Sequence, residues 1–181
     1  MLLIPTTAQA SGVEILNAST QISNYQVSKM GSIANSYLSL VARKWGVTPL
    51  PMRVYLVDEF PQEALASMQE GTIAFHWYDS GPYAYVKITN YKESVVDMTH
   101  EIAEMVMNPF YDKIVKHGKY KYHLEIADVT SMEFKMYGVS VSDFSLPSYW
   151  QTHGVRPYTF KNNLSYSFDI SQNQNRELRR R

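Results

Sequence analysis

The sequence predicts a mixed α+β domain, and three observations carry that prediction. Residues 24 to 45 repeat apolar side chains every three or four positions, as an amphipathic helix does. Short β-rich runs with period-two alternation recur between residues 53 and 143. Between those runs lies a second helical segment, near Ser94 to Met107, that is apolar around most of its circumference.

In the first helix Val27, Met30, Ile33, Ala34, Tyr37, Leu38, Val41 and Trp45 form the apolar stripe, and Gly46 suits the position just past its end. Arg53 to Val57 reads as a strand bounded by Pro51 and by Asp58-Glu59, and Gln62 to Gln69 as a short helix. Ile73, Phe75 and Trp77 alternate with Ala74, His76 and Tyr78. Asp79-Ser80-Gly81-Pro82 breaks the chain there, and Tyr83 to Thr89 resumes as a strand. Asn108-Pro109 stops the second helix. Tyr122, Leu124 and Ile126 then alternate with His123, Glu125 and Ala127, and Met132 to Tyr137 and Val139 to Asp143 form two strands around Gly138. No repeat or Gly/Ser/Pro linker divides the chain. Residues 1–150 read as one domain and 151–181 as an extension of rising polarity.

Bulk properties exclude several function classes. Lys+Arg and Asp+Glu are equal at 17 each, so the molecule as a whole is not a nucleic-acid-binding surface. The basic end Arg176 to Arg181 is the local exception, either a solvated tail or a contact for nucleic acid or an acidic partner. Without cysteine there are no disulfides and no thiolate ligands, so any metal must be held by His, Asp or Glu. No apolar run approaches the length of a membrane span, and Met1 to Ala10 lacks the basic n-region of a signal peptide.

The chemistry concentrates on the second helix. Asp97, His100, Glu101, Glu104 and Asn108 fall three or four apart and form one polar stripe on an otherwise apolar helix. Two carboxylates and an imidazole are costly in such a place unless paired or bound to a cation. His100 and Glu104 project the same way within about one helical turn, as two ligands of one metal must. Glu101 lies beside them, placed to hold a metal-bound water. This is the H-E-x-x-H arrangement with its second histidine replaced by glutamate. The plainer alternative is a solvated helix face. A third ligand is needed, and Glu125 and Asp128 are the candidates, with Asp128 also able to orient His100. His123 is a further alternative on the face of Glu125. His76, His117 and His153 carry little singly, although His76 can line the cleft. Asp143 reads as a turn residue or a buttress of the site. A plain binding module would instead neutralise the stripe with Arg53 or Lys87.

Taken together, Thr99-His100-Glu101-Ile102-Ala103-Glu104-Met105 with Asn108-Pro109, Glu125-Ile126-Ala127-Asp128, and Gly138-Val139-Ser140-Val141-Ser142-Asp143-Phe144-Ser145-Leu146-Pro147 resemble a family of zincin-like metallopeptidase domains encoded by phages and prophages. The resemblance spans roughly residues 50 to 150. It implies a zincin-like fold: a twisted mixed sheet, a backing helix, and a buried active-site helix under an edge strand, here Tyr83 to Thr89. It further implies zinc as cofactor, His100 and Glu104 as ligands, Glu125 or Asp128 as the third, and Glu101 as general base. The implied activity is attack of a metal-bound water on a peptide bond. The sequence departs from the family at Ala127-Asp128-Val129-Thr130-Ser131, where a Cys usually precedes the Asp and a Pro and Glu follow it. The alternative is an inactive structural virion protein, a tail or connector part, for whose contacts 14 Tyr, 7 Phe and 3 Trp are suited. The expected partners are accordingly a peptide or protein substrate, other virion proteins, or a second copy of the chain. The implied location is the virion or the host cytoplasm.

Overall fold

The computed structural model of the protein describes residues 12–168 apart from 66, 67, 69, 118 and 131. Met1 to Ala10 and the basic end Arg176 to Arg181 lie outside the described residues. The elements are β1 (Val13–Asn17), α1 (Asn24–Trp45), β2 (Met52–Val57), α2 (Gln62–Leu65), β3 (Ala74–Asp79), β4 (Gly81–Lys87), α3 (Tyr91–Met107), β5 (Ile114–His117), β6 (Tyr120–His123), β7 (Glu133–Met136) and β8 (Val139–Ser142). A short 3₁₀ turn follows at Pro147–Tyr149. The helix expected from Gln62 to Gln69 ends at Leu65, and residues 66, 67 and 69 are outside the described set.

Helix α1 begins where Ser23-x-x-Gln26 forms a reciprocal capping box and ends at Gly46, whose φ of 66° a side chain would strain. Its buried face is Met30, Ile33, Ala34, Tyr37, Leu38, Val41 and Ala42. Helix α3 starts at Asn90, whose side chain accepts from the amides of Lys92 and Glu93, both at 3.1 Å. The two helices pack on each other and share one apolar cluster with Val54 and Leu56 of β2 and Ala84 and Val86 of β4. Two long-range bonds fix the C-terminal half against them. Tyr37 Oη donates to the Ser142 carbonyl at 2.9 Å, and the Ser142 amide donates to Thr99 Oγ1 at 3.0 Å.

The principal sheet is mixed, in the order β1-β2-β4-β3. The pairs β1–β2 and β2–β4 are parallel, and β3 lies antiparallel to β4 with His76 opposite Ala84. Tyr83 to Thr89 is therefore not the edge. The tight turn at Ser80-Gly81 folds β3 back outside β4, so the edge strand on this side of the sheet is Ala74–Asp79, with β1 at the other edge. The pleat sends Ala84, Val86 and His76 to the helix side. It sends Tyr55, Phe75 and Tyr85 to the other face, where their rings stack at 4.9 and 5.4 Å.

Two small hairpins, β5–β6 and β7–β8, complete the described strands. β5 was not foreseen in the sequence, and it pairs antiparallel with β6. The alternation of residues 122–127 does not continue as a strand past His123. Ile126 and Ala127 are consecutive and both fully buried, because the Ile126 carbonyl turns to accept from Ser145, amide and hydroxyl alike. Residues 158–160 return to the core, where Phe160 stacks on Phe144 at 5.4 Å. Asp143 is buried and accepts from the Lys161 amide at 3.3 Å, so it anchors this returning segment and not the cleft.

At the far end of β2, Asp58 gathers the loop that leads into α1. Ser19 Oγ, Thr20 N, Thr20 Oγ1 and Gln21 Nε2 all donate to its carboxylate, and the Ser19 bond is very short. These bonds, led by that from Ser19, hold its pKa at about 2. A depressed carboxylate stabilises the fold above its unfolded value and loses that contribution as pH falls toward the folded value. Asp58→Asn is therefore expected to lower the melting temperature at pH 7, with the gap to wild type closing between pH 4 and pH 2. Thermal denaturation followed by circular dichroism across that range checks it, and a gap independent of pH would refute it.

Candidate metal centre

Three stretches of chain converge on one point. α3 supplies His100, Glu101 and Glu104; edge strand β3 supplies His76; and the irregular segment after β6 supplies Glu125 and Asp128. All six line one cleft of ≈ 1190 Å³. β3 can deliver a histidine there because its partner across the strand pair is Ala84, a side chain too small to fill the space above α3.

Glu104 sits at the centre and is 4% exposed. Its Oε1 is 3.1 Å from His100 Nε2, and its Oε2 is 3.4 Å from His76 Nδ1. The Glu101 side chain reaches the same ring, with Oε2 2.9 Å from His76 Nδ1. On the far side, His76 Nε2 lies 3.7 Å from Glu125 Oε2. Glu125 Oε1 accepts from Asn108 Nδ2 at 3.0 Å, and Asn108 Oδ1 accepts from the Lys113 amide at 2.8 Å. Asn108, the residue that ends α3, thus aims Glu125. At the cleft mouth, Asp128 Oδ1 lies 3.2 Å from His100 Nε2.

Burial and mutual charge set the ionisation of this group. Burial opposes the charge on Glu104, but His100 and then the close contacts with both histidines outweigh it and hold its pKa at about 2. Burial also opposes charge on His100 and His76, yet the facing carboxylates raise both. Glu125 moves the other way, pushed up to about 8 by burial and by the Glu104 charge. Burial raises Asp97, on the same stripe, to about 6.

Four polar atoms of the cleft residues, His76 Nε2, Asp97 Oδ2, Glu104 Oε1 and Glu125 Oε2, are buried without a hydrogen-bond partner among the described residues. Buried polar atoms are rarely left so, and each calls for an account. Among the described residues the close ion pairs of Glu104 come from the two histidines. Arg53 bonds Ser80 and Lys87 pairs with Glu59, so the neutralisation by Arg or Lys that a plain binding module needs is not made by these two. Two groups have ligand atoms within 4.8 Å of one another, close enough to hold a metal ion: His100, Glu101 and Glu104, and His76, Glu104 and Glu125. Ligands of a tetrahedral zinc stand about 3.4 Å apart, given zinc–nitrogen and zinc–oxygen bonds near 2.1 Å. The separations of 3.1, 3.2 and 3.7 Å found here bracket that value. The donor set fits a divalent cation.

No family model, no curated protein and no solved structure matches the chain.

Of the residues singled out in the sequence, His100, Glu101, Glu104, Glu125 and Asp128 meet in the cleft, with Asp97 on its wall. His123 does not join them as a ligand: its ring stacks on Tyr111 at 4.1 Å. His153 is exposed on a turn. His76 was the residue underrated in sequence. The available signal was its phase: it shares a face with Ala74, opposite the aromatic pair Phe75 and Trp77. Tyr111, at φ 55°, carried no sequence signal, yet it packs its ring on His76, Trp77 and His123 and walls the cleft.

The raised Glu125 gives a pH test of this electrostatic arrangement. A carboxyl with its folded pKa above its unfolded value stabilises the fold fully below about 4.5 and loses that contribution as pH climbs through about 8. In chelator, Glu125→Gln is expected to lie close to wild type at pH 5 and to melt several degrees above it at pH 8. Equal melting temperatures at pH 8 would refute the assignment.

Proposed function

We propose that the protein is a zinc-dependent metallopeptidase-like hydrolase of the phage-type zincin class. The observation that carries this reading is a buried H-E-x-x-E helix whose histidine and second glutamate face a cleft 3.1 Å apart, with unsatisfied carboxylate and imidazole atoms around them. The arrangement of α1 behind α3, with α3 beneath the edge of a mixed sheet, supports the same class.

In this reading His100 and Glu104 hold the cation, and Glu125 or Asp128 completes the set. A divalent cation so held polarises a carbonyl and lowers the pKa of water. Glu101 is the base: it is 5% exposed, and burial raises its pKa, which makes its carboxylate a stronger proton acceptor. His76 Nδ1 fixes the Glu101 carboxylate through their 2.9 Å contact. Asp128 orients His100 at the mouth. Edge strand β3, beside the cleft, is free on its outer side among the described strands to accept an extended peptide by main-chain pairing. Anionic ligation by glutamate reduces the net charge at the metal, so turnover is expected to be slow compared with a two-histidine site.

A second reading, a structural virion protein, is favoured by one observation. Trp77, Tyr78 and Phe110 are 41–47% exposed yet pack their rings together beside the cleft, as a protein-contact patch would.

Metal analysis of protein purified without chelators, then supplemented with zinc, separates the two. At least one zinc per chain is expected, reduced in both His100→Ala and Glu104→Ala. Glu101→Gln is expected to keep the metal and to lose roughly 10²–10⁴-fold in peptide hydrolysis. A wild-type chain that takes up no zinc overturns the hydrolase reading and leaves the structural one.

A further inference from the structure

The cleft has more donors than one ion can use, and they fall into two sets that share Glu104. On one side are His100 Nε2, Glu104 Oε1 and Asp128 Oδ1, with successive separations of 3.1 and 3.2 Å about the imidazole nitrogen. On the other are His76 Nε2 and Glu125 Oε2, 3.7 Å apart, both buried and both without a hydrogen-bond partner. The two oxygens of Glu104 divide between the sets, Oε1 toward His100 and Oε2 toward His76.

The geometry points to a dinuclear centre: two divalent cations bridged by the Glu104 carboxylate, the first on His100 and Asp128, the second on His76 and Glu125. This rests on the reading that the cleft binds a cation at all, and it decides which carboxylate serves which ion.

The placement of His76 supports the second ion. Its Nδ1 lies 2.9 Å from Glu101 Oε2, within hydrogen-bond reach, and its Nε2 faces Glu125 Oε2. A metal-ligating histidine ordinarily offers one ring nitrogen to the ion and the other to a carboxylate, and His76, between Glu101 and Glu125, is placed to do so. The side chain is 6% exposed, so solvent does not answer the orphaned nitrogen. Glu125 is in turn aimed by Asn108, which is itself fixed by the Lys113 amide. Two-metal sites in hydrolases hold their ions about 3.5–4 Å apart, a span one bridging carboxylate can serve. Mixed imidazole and carboxylate donors suit zinc or manganese. Glu101, bonded to His76, then stands beside both ions.

Titration of the full chain with Mn²⁺ after chelator treatment, read by metal content per chain and by electron paramagnetic resonance, tests this. Two ions per wild-type chain and an exchange-coupled manganese spectrum are expected. His76→Gln and Glu125→Gln are each expected to bind one ion and to give an uncoupled spectrum, and Glu104→Gln to bind neither tightly. Glu125→Gln stands in should His76→Gln fail to fold, and the wild-type spectrum needs no variant. One ion in wild type, unchanged in number and affinity by His76→Gln or Glu125→Gln, overturns the dinuclear centre and leaves the cation reading intact. Two ions retained by both variants also overturns it. No ion in wild type sinks both readings together.

Discussion

A carboxylate buried on the inner side of a core helix is costly unless something meets its charge, and in this protein that constraint falls on Glu104. Helix α3 cannot turn its polar stripe to solvent, because Val95, Met98, Ile102, Met105 and Val106 take up the rest of its circumference. The fold therefore brings partners to the carboxylate. His100 comes from the same helix and His76 from strand β3, while the segment after β6 adds Glu125, a second carboxyl that the Glu104 charge pushes up. The hairpin that turns β3 outside β4 and the hairpin that returns the chain after Asn108 both deliver a side chain to this point.

The same arrangement divides the molecule into a firm frame and a charged cleft. The frame is the stack of α1 and α3 on the inner face of the sheet, tied by Tyr37, Thr99 and Ser142 through hydrogen bonds in its interior. Satisfied backbone and hydroxyl groups dominate there. In the cleft, His76 Nε2, Glu104 Oε1 and Glu125 Oε2 are unsatisfied and the ionisations are displaced in opposite directions. Groups pushed apart in this way lie within one concavity, the cleft over α3. The frame's rigidity is what keeps the donors close without collapse: Asn108, for example, holds Glu125 off the histidine with one hydrogen bond.

Much of this was legible in the residue order. The helical spans followed from periodicity to within a few residues, the end of α1 from Gly46, and the stop of α3 from Asn108-Pro109. His100, Glu101 and Glu104 stood out because helical spacing alone places them together and the apolar residues around them exclude an exposed face. Local rules sufficed there, since a helix fixes the relative direction of its own side chains. The chain from Leu124 to Asp128 was harder to read. Its alternation suggests a strand, but core packing of both Ile126 and Ala127 overrides that pattern.

What the sequence by itself determined is the chemistry available: a cysteine-free chain with one buried helix carrying an imidazole and two carboxylates. Which residues stand opposite that helix only the tertiary structure decided. Strand order is not encoded in alternation, because a period of two says which side chains share a face and nothing of which strand lies beside which. β3 rather than β4 became the edge through the hairpin at Ser80-Gly81, and that single reversal set His76 over α3 across from Ala84. A histidine between two aromatic residues thus became the fourth wall of the centre, by long-range pairing that no local pattern records.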